Sequence, residues 1–178
     1  MCSIVRLLLP VRIGAGYRGF VQPWITRSVR IAAAADAVWS MVTDLPRMGE
    51  FSPENIGGYW LDGATGPALG AKFRGTNRNG GKQWWTRVTV VEYEPGRLFT
   101  FDVRAPIGIR VSRWSYEITP TATGCLLAEH WYRVGNRFVR NFLGPKVTGR
   151  ADRPGFNTES IEHTLARIKT LAEIRSAA

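Results

Sequence analysis

Glu129 stands in a row of apolar residues. Across residues 125–133, Cys125, Leu127 and Trp131 recur at the two-residue spacing of a β-strand, and Glu129 shares their side of the pleat. A carboxyl group in such a row either finds a partner or a water-filled space, because isolated burial of the charged form is penalised and raises the pKa. If the chain has an enzymatic activity, Glu129 is the catalytic candidate, as a general base; Asp102 takes that place only if the parity of its strand is reversed. The same parity puts Asn77, Thr86 and Tyr116 on inward faces of other strands, where an unpaired polar group costs on the order of 1–3 kcal/mol. These side chains either orient a ligand or bond to one another. Large rings accompany them: Phe73, Trp84, Phe99, Phe101, Trp114 and Trp131 are read as inward, forming core, pocket wall, or both at different depths.

Other chemistry finds little support. The two histidines, His130 and His163, fall off the apolar faces of their elements, which suits surface or structural roles. No histidine and carboxylate cluster has metal-ligand spacing, no glycine-rich phosphate loop occurs, and no serine sits on a nucleophile elbow. The expectation is therefore no metal and no cofactor. Twenty-four Lys and Arg against fourteen Asp and Glu leave a net charge of +10. The cations concentrate in Arg6, Arg12, Arg18, Arg27 and Arg30 and again in Arg133, Arg137, Arg140, Lys146, Arg150 and Arg153. Neither group carries a nucleic-acid-binding motif, so no specific nucleic acid partner is expected. A basic interaction surface for nucleic acid or anionic lipid stays open as an alternative, with weak contact to an anionic membrane as its mildest form, and steep salt dependence would reveal it. Cys2 and Cys125 offer no disulfide framework, and no apolar run reaches the ~20 residues of a membrane span, which reads as a cytoplasmic protein.

The elements that position these groups follow from periodicity. Residues 81–116 hold three successive strand patterns: Trp84, Thr86, Val88 and Val90; then Phe99, Phe101 and Val103; then Trp114, Tyr116 and Ile118. Asn79-Gly80 marks a hairpin before the first, and Glu94-Pro95-Gly96-Arg97 a turn after it. Upstream lie a strand over residues 24–31, a helix to Leu45, a second short helix over 46–51, and strands over 56–61 and 71–78. Downstream lie the strand 125–133, a connector over 134–153 with a turn or two of helix before Gly144-Pro145, and a helix over 157–174 whose stripe is Ile161, Leu165, Ile168, Leu171 and Ala172. Residues 1–23 read as an arm outside a single domain spanning 24–178. An antiparallel sheet of seven strands with helices on one face is the α+β solution to burying these faces. One helix of five turns covers only part of such a sheet, which leaves a space to be packed or kept as a cavity.

This order, with Asp36-Ala37-Val38-Trp39 in the first helix, resembles the helix-grip superfamily that includes START domains, polyketide cyclases and the major birch pollen allergen. The likeness is closest to polyketide cyclase/dehydrase-like SRPBCC proteins, through Phe73-Arg74-Gly75-Thr76-Asn77-Arg78, Tyr93-Glu94-Pro95-Gly96-Arg97, Phe99-Thr100-Phe101, Trp114-Ser115-Tyr116-Glu117-Ile118 and Thr164-Leu165-Ala166-Arg167-Ile168-Lys169. The resemblance implies a curved sheet wrapped around the long C-terminal helix. It also implies a hydrophobic or amphipathic small-molecule ligand, lipid or polyketide-like, held between the two by a carrier or by a non-metal cyclase or dehydratase. Fold alone does not choose between these.

Overall fold

The structure is a computed structural model that describes residues 22–135 and 139–177, with backbone alone at 139 and 140. Seven strands form one antiparallel sheet: β1 (Ile25–Ile31), β2 (Asn55–Trp60), β3 (Lys72–Asn79), β4 (Lys82–Glu94), β5 (Leu98–Arg104), β6 (Arg110–Thr121) and β7 (Gly124–Tyr132). Their spatial order is β1-β7-β6-β5-β4-β3-β2, so every neighbour from β2 to β7 is joined by a hairpin or short loop. β1 pairs with β7 at the far edge. Helix α1 (Ala35–Thr43) and a 3₁₀ segment (Leu45–Glu50) lie between β1 and β2, and α2 (Gly144–Thr148) and α3 (Arg153–Ala177) follow β7. This is the seven-stranded antiparallel sheet anticipated from the residue pattern, in the curved helix-grip arrangement that the family resemblance implies. The arm expected over residues 1–23 lies, apart from Gln22 and Pro23, outside the described residues.

Turn chemistry sets the register. Between β4 and β5, the Arg97 N–H donates to the Glu94 carbonyl at 2.9 Å around Pro95 and Gly96, whose φ is +75°; proline at the second and glycine at the third position are what a type II turn requires. The hairpin between β3 and β4 is displaced by one residue from the sequence reading: Asn79 pairs with Lys82, so Gly80 and Gly81 are the central pair. A bulge at Val91 then re-phases β4, pairing Val90 with Phe101 but Tyr93 with Phe99. Both ends of β4 thereby present apolar groups to the inside.

The long helix begins earlier than the stripe suggests. Asp152 Oδ1 accepts the Gly155 N–H at 3.0 Å and so caps α3, and Pro154 sits in the first turn, where a missing N–H costs nothing. Pro154 and Gly155 are thus part of the helix, not its prelude. Pro145 plays the same first-turn role in α2, so Gly144-Pro145 starts a turn of helix that it was expected to end, after a single π-type turn over Val139–Leu143. Ile161, Leu165, Ile168 and Ala172 are buried in one core with Val29, Val38, Val42, Leu127 and Ile118. Leu165→Ala is expected to cost roughly 2–4 kcal/mol through lost burial and the cavity left behind. Urea unfolding measures this, and a loss under about 0.5 kcal/mol would mean that another face of α3 meets the sheet.

The outer face of the central strands is also buried, where simple alternation anticipates solvent. Thr100 and Ser115, each 1% exposed, share a 2.8 Å hydrogen bond, and Arg113 Nε donates to Asp102 at 2.7 Å. His130, 4% exposed, bonds through Nδ1 to Thr26 Oγ1 at 3.0 Å and faces Glu117 at 3.8 Å. His130 is therefore buried on the outer face and not at the surface. The neighbouring His130 ring, together with Arg97, holds the Glu117 carboxyl below its ordinary pKa. Asp102 therefore faces away from the interior and pairs with arginine, which removes it as the alternative base.

Candidate functional site

A cavity of about 830 Å³ lies between the inner face of the sheet and the first half of α3. It exists because β3 to β7 carry their largest rings on that face while the helix opposite them presents small polar residues. In register, Trp84 faces Asn77, Thr86 faces Gly75, Trp114 faces Phe101 and Trp131, and Tyr116 faces Glu129. The Trp114 and Trp131 rings stand 6.4 Å apart. Opposite, Asn157, Ser160 and Thr164 continue the stripe of Ile161 and Leu165 toward the start of α3 and line the same space. At the rim, Ile107 in the β5–β6 turn and Val147 in α2 are 73% and 50% exposed.

Phe73, Asn77, Trp84, Thr86, Phe101, Trp114, Tyr116, Glu129 and Trp131 all line this cavity. Phe99 does not. It is fully buried between Trp39, Tyr93 and Phe101, with ring centroids at 6.4, 6.3 and 5.3 Å; it faces inward as its parity requires, but α1 covers it. Asn157, Ser160 and Thr164 are not among the residues that the apolar stripe of α3 picks out; their spacing of three and four residues, in phase with Ile161, Leu165 and Ile168, is the signal that places them on the same face.

The inward polar side chains form two separate pairs and not one network. Asn77 Nδ2 donates to Thr86 Oγ1 at 3.4 Å, and Asn55 Nδ2 reaches Asn77 Oδ1 at 3.4 Å. Deeper, Tyr116 donates its hydroxyl hydrogen to Glu129 Oε1 at 3.0 Å. Glu129 is 3% exposed, and burial pushes its pKa from 4.5 up to about 8, the Tyr116 bond offsetting only part of that rise. Burial next to Glu129 likewise raises the Tyr116 phenol well above its usual value. The residue opposite Glu129 on β1 is Arg27, yet its guanidinium donates to Glu162 of α3 at 2.8 Å instead. Burial thus favours the neutral form of Glu129, which can donate a proton as well as accept a hydrogen bond.

The basic residues are partly committed within the fold. Arg153 pairs with Glu54 in two hydrogen bonds, Arg150 lies 4.3 Å over the Phe156 ring, and Arg133 lies 4.7 Å over Trp24. Arg6, Arg12, Arg18 and Arg137 lie outside the described residues. No helix among the described residues is long and apolar enough to cross a membrane.

With this geometry in view, comparison with known proteins is informative. The sequence profile described as polyketide cyclase / dehydrase and lipid transport matches residues 22–173. No curated protein matches the sequence. Among solved structures, a polyketide-cyclase-like protein of Corynebacterium glutamicum is 30% identical, with a TM-score of 0.59 over 85% of this chain and 91% of that one. A START superfamily protein of Mycobacterium smegmatis shares the fold at 15% identity and a TM-score of 0.57, over 86% and 96% of the two chains. The di-domain ARO/CYC StfQ of the steffimycin biosynthetic pathway shares it at 17% identity and a TM-score of 0.66; the match covers 86% of this chain but 51% of StfQ, so the chain spans about half of that protein.

Proposed function

The chain belongs to the polyketide cyclase / dehydrase and lipid transport family, and from that premise and the cavity we propose that it binds one hydrophobic or amphipathic small molecule as a carrier or binding protein. The observation that carries this reading is a space of about 830 Å³ walled by Trp84, Trp114, Phe101 and Phe73, with a lining surface that is mainly apolar and interrupted by polar side chains, a volume and lining typical of small-molecule sites. The rings supply apolar contact; the two polar pairs supply orientation. A fluorescent apolar probe such as anilinonaphthalene sulfonate should bind at micromolar concentration, quench tryptophan emission, and be displaced by polycyclic or long-chain compounds. Absence of saturable binding to the folded protein would remove the carrier reading.

A second reading, catalysis of a cyclase or dehydratase kind, is favoured by one observation, the buried Glu129 carboxyl hydrogen-bonded to Tyr116, whose own pKa of 4.5 burial pushes up to about 8. In a dehydration, Glu129 would give its proton to the leaving hydroxyl of a β-hydroxy carbonyl compound, which departs as water. The resulting carboxylate would take up the proton lost from the adjacent carbon as the double bond forms. Loss of one water from such a substrate, read by mass spectrometry and abolished in Glu129→Gln, separates this reading from simple carriage.

A further inference from the structure

Besides Nε of half-buried Arg133, the cavity lining has three almost fully buried residues with polar atoms that find no partner among the described residues. These are Glu129 Oε2, Trp131 Nε1 and both Nδ2 and Oδ1 of Asn157. The three residues are only 3%, 3% and 1% exposed, and all line the cavity. Buried polar atoms are almost always paired, so such a set is met by water or by a bound molecule. Glu129 and Trp131 are two residues apart on one face of β7, and Asn157 comes from the first turns of α3, so the set borders one cavity from both layers of the fold.

Resting on the ligand-binding reading above, we propose that this part of the cavity is a subsite for a neutral hydroxyl-bearing group, a phenol, enol or alcohol, and that it discriminates against carboxylates. The atom inventory carries the argument. Indole N–H only donates, whereas the Asn157 carboxamide both donates and accepts. A hydroxyl oxygen can accept from Trp131 Nε1 or Asn157 Nδ2 while its hydrogen is donated to Asn157 Oδ1. A ketone satisfies only the donors, and a hydrocarbon satisfies none. A carboxylate would leave Asn157 Oδ1 unmet and would bring a full charge to atoms that are almost completely buried, where desolvation penalises it as it does the charged form of Glu129. Ser160 and Thr164, one and two turns along α3, continue the same polar edge.

The test uses three rigid probes of one shape, naphthalene, 2-naphthol and 2-naphthoate, titrated into the full chain at neutral pH by tryptophan quenching and calorimetry. Naphthol should bind about tenfold more tightly than naphthalene, equivalent to ~1.4 kcal/mol, and naphthoate no more tightly than naphthalene. Asn157→Leu should reduce the naphthol advantage to about twofold while changing naphthalene affinity less than about threefold. Trp131→Phe, which keeps an aromatic ring and deletes the N–H, should act in the same direction and serves if the Asn157 variant does not fold. If naphthol and naphthalene bind alike, if naphthoate binds best, or if neither variant reduces the naphthol advantage, the subsite assignment is overturned while the carrier reading stands. If no probe binds, both fall together.

Discussion

Glu129→Gln is expected to make the protein less sensitive to pH and more stable than the parent in alkali. In the unfolded chain this carboxyl ionises near 4.5, whereas burial in the fold holds its proton until about pH 8. Between those values the folded state binds more protons than the unfolded one, so stability falls as pH rises through the window. The contribution is fully present below 4.5 and is lost as pH rises through 8; a displacement from 4.5 to about 8 amounts to roughly 5 kcal/mol. Glutamine has nothing to titrate, still accepts the Tyr116 hydroxyl hydrogen, and matches the volume of the neutral acid. Urea unfolding of both proteins from pH 5 to 9 measures the effect, because every other group contributes equally to the two curves. The difference between them should grow by several kcal/mol in favour of the variant. Parallel curves would mean that Glu129 is ionised and paired in the fold, and the proton-donor chemistry built on it would go too.

Phe99→Ala is expected to cost about 3–5 kcal/mol, the range for truncating a fully buried ring in a packed core. The ring fills the space between Trp39 of α1 and Tyr93 of β4. Trp84→Ala should behave in the opposite way. Trp84 is half-buried and borders the cavity, so its loss should cost no more than about 1–2 kcal/mol and weaken binding of an apolar probe severalfold, while Phe99→Ala leaves the affinity of the folded fraction within about twofold. The comparison separates two rings that alternate identically along their strands. Equal effects on stability and binding would put Phe99 in the cavity wall after all.

That pair of residues also marks where reading the chain stops being sufficient. The period of two along 84–90, 99–103, 114–118 and 125–131 determined which side chains face inward, because a strand has only two faces and water selects between them. The turn signals at Asn79-Gly80, one residue from the observed central pair, and at Pro95-Gly96 determined that these strands are antiparallel neighbours, and the stripe of Ile161, Leu165 and Ile168 determined that a long helix lies on them. Nine of the ten inward residues named from the sequence accordingly border one cavity. Facing inward, however, does not distinguish core from cavity wall. Phe99 is closed off because Trp39 of α1 packs against it, whereas Phe101, buried in the same core, still borders the cavity, a matter of helix placement that no strand period encodes. The state of Glu129 was likewise decided only in three dimensions. Arg27 stands directly opposite it across β1 and β7, and had that guanidinium turned inward, the carboxyl would be ionised and its pKa low. Glu162, 135 residues away in sequence, draws the arginine to the helix instead, leaving burial, which favours the neutral acid, as the dominant influence on Glu129.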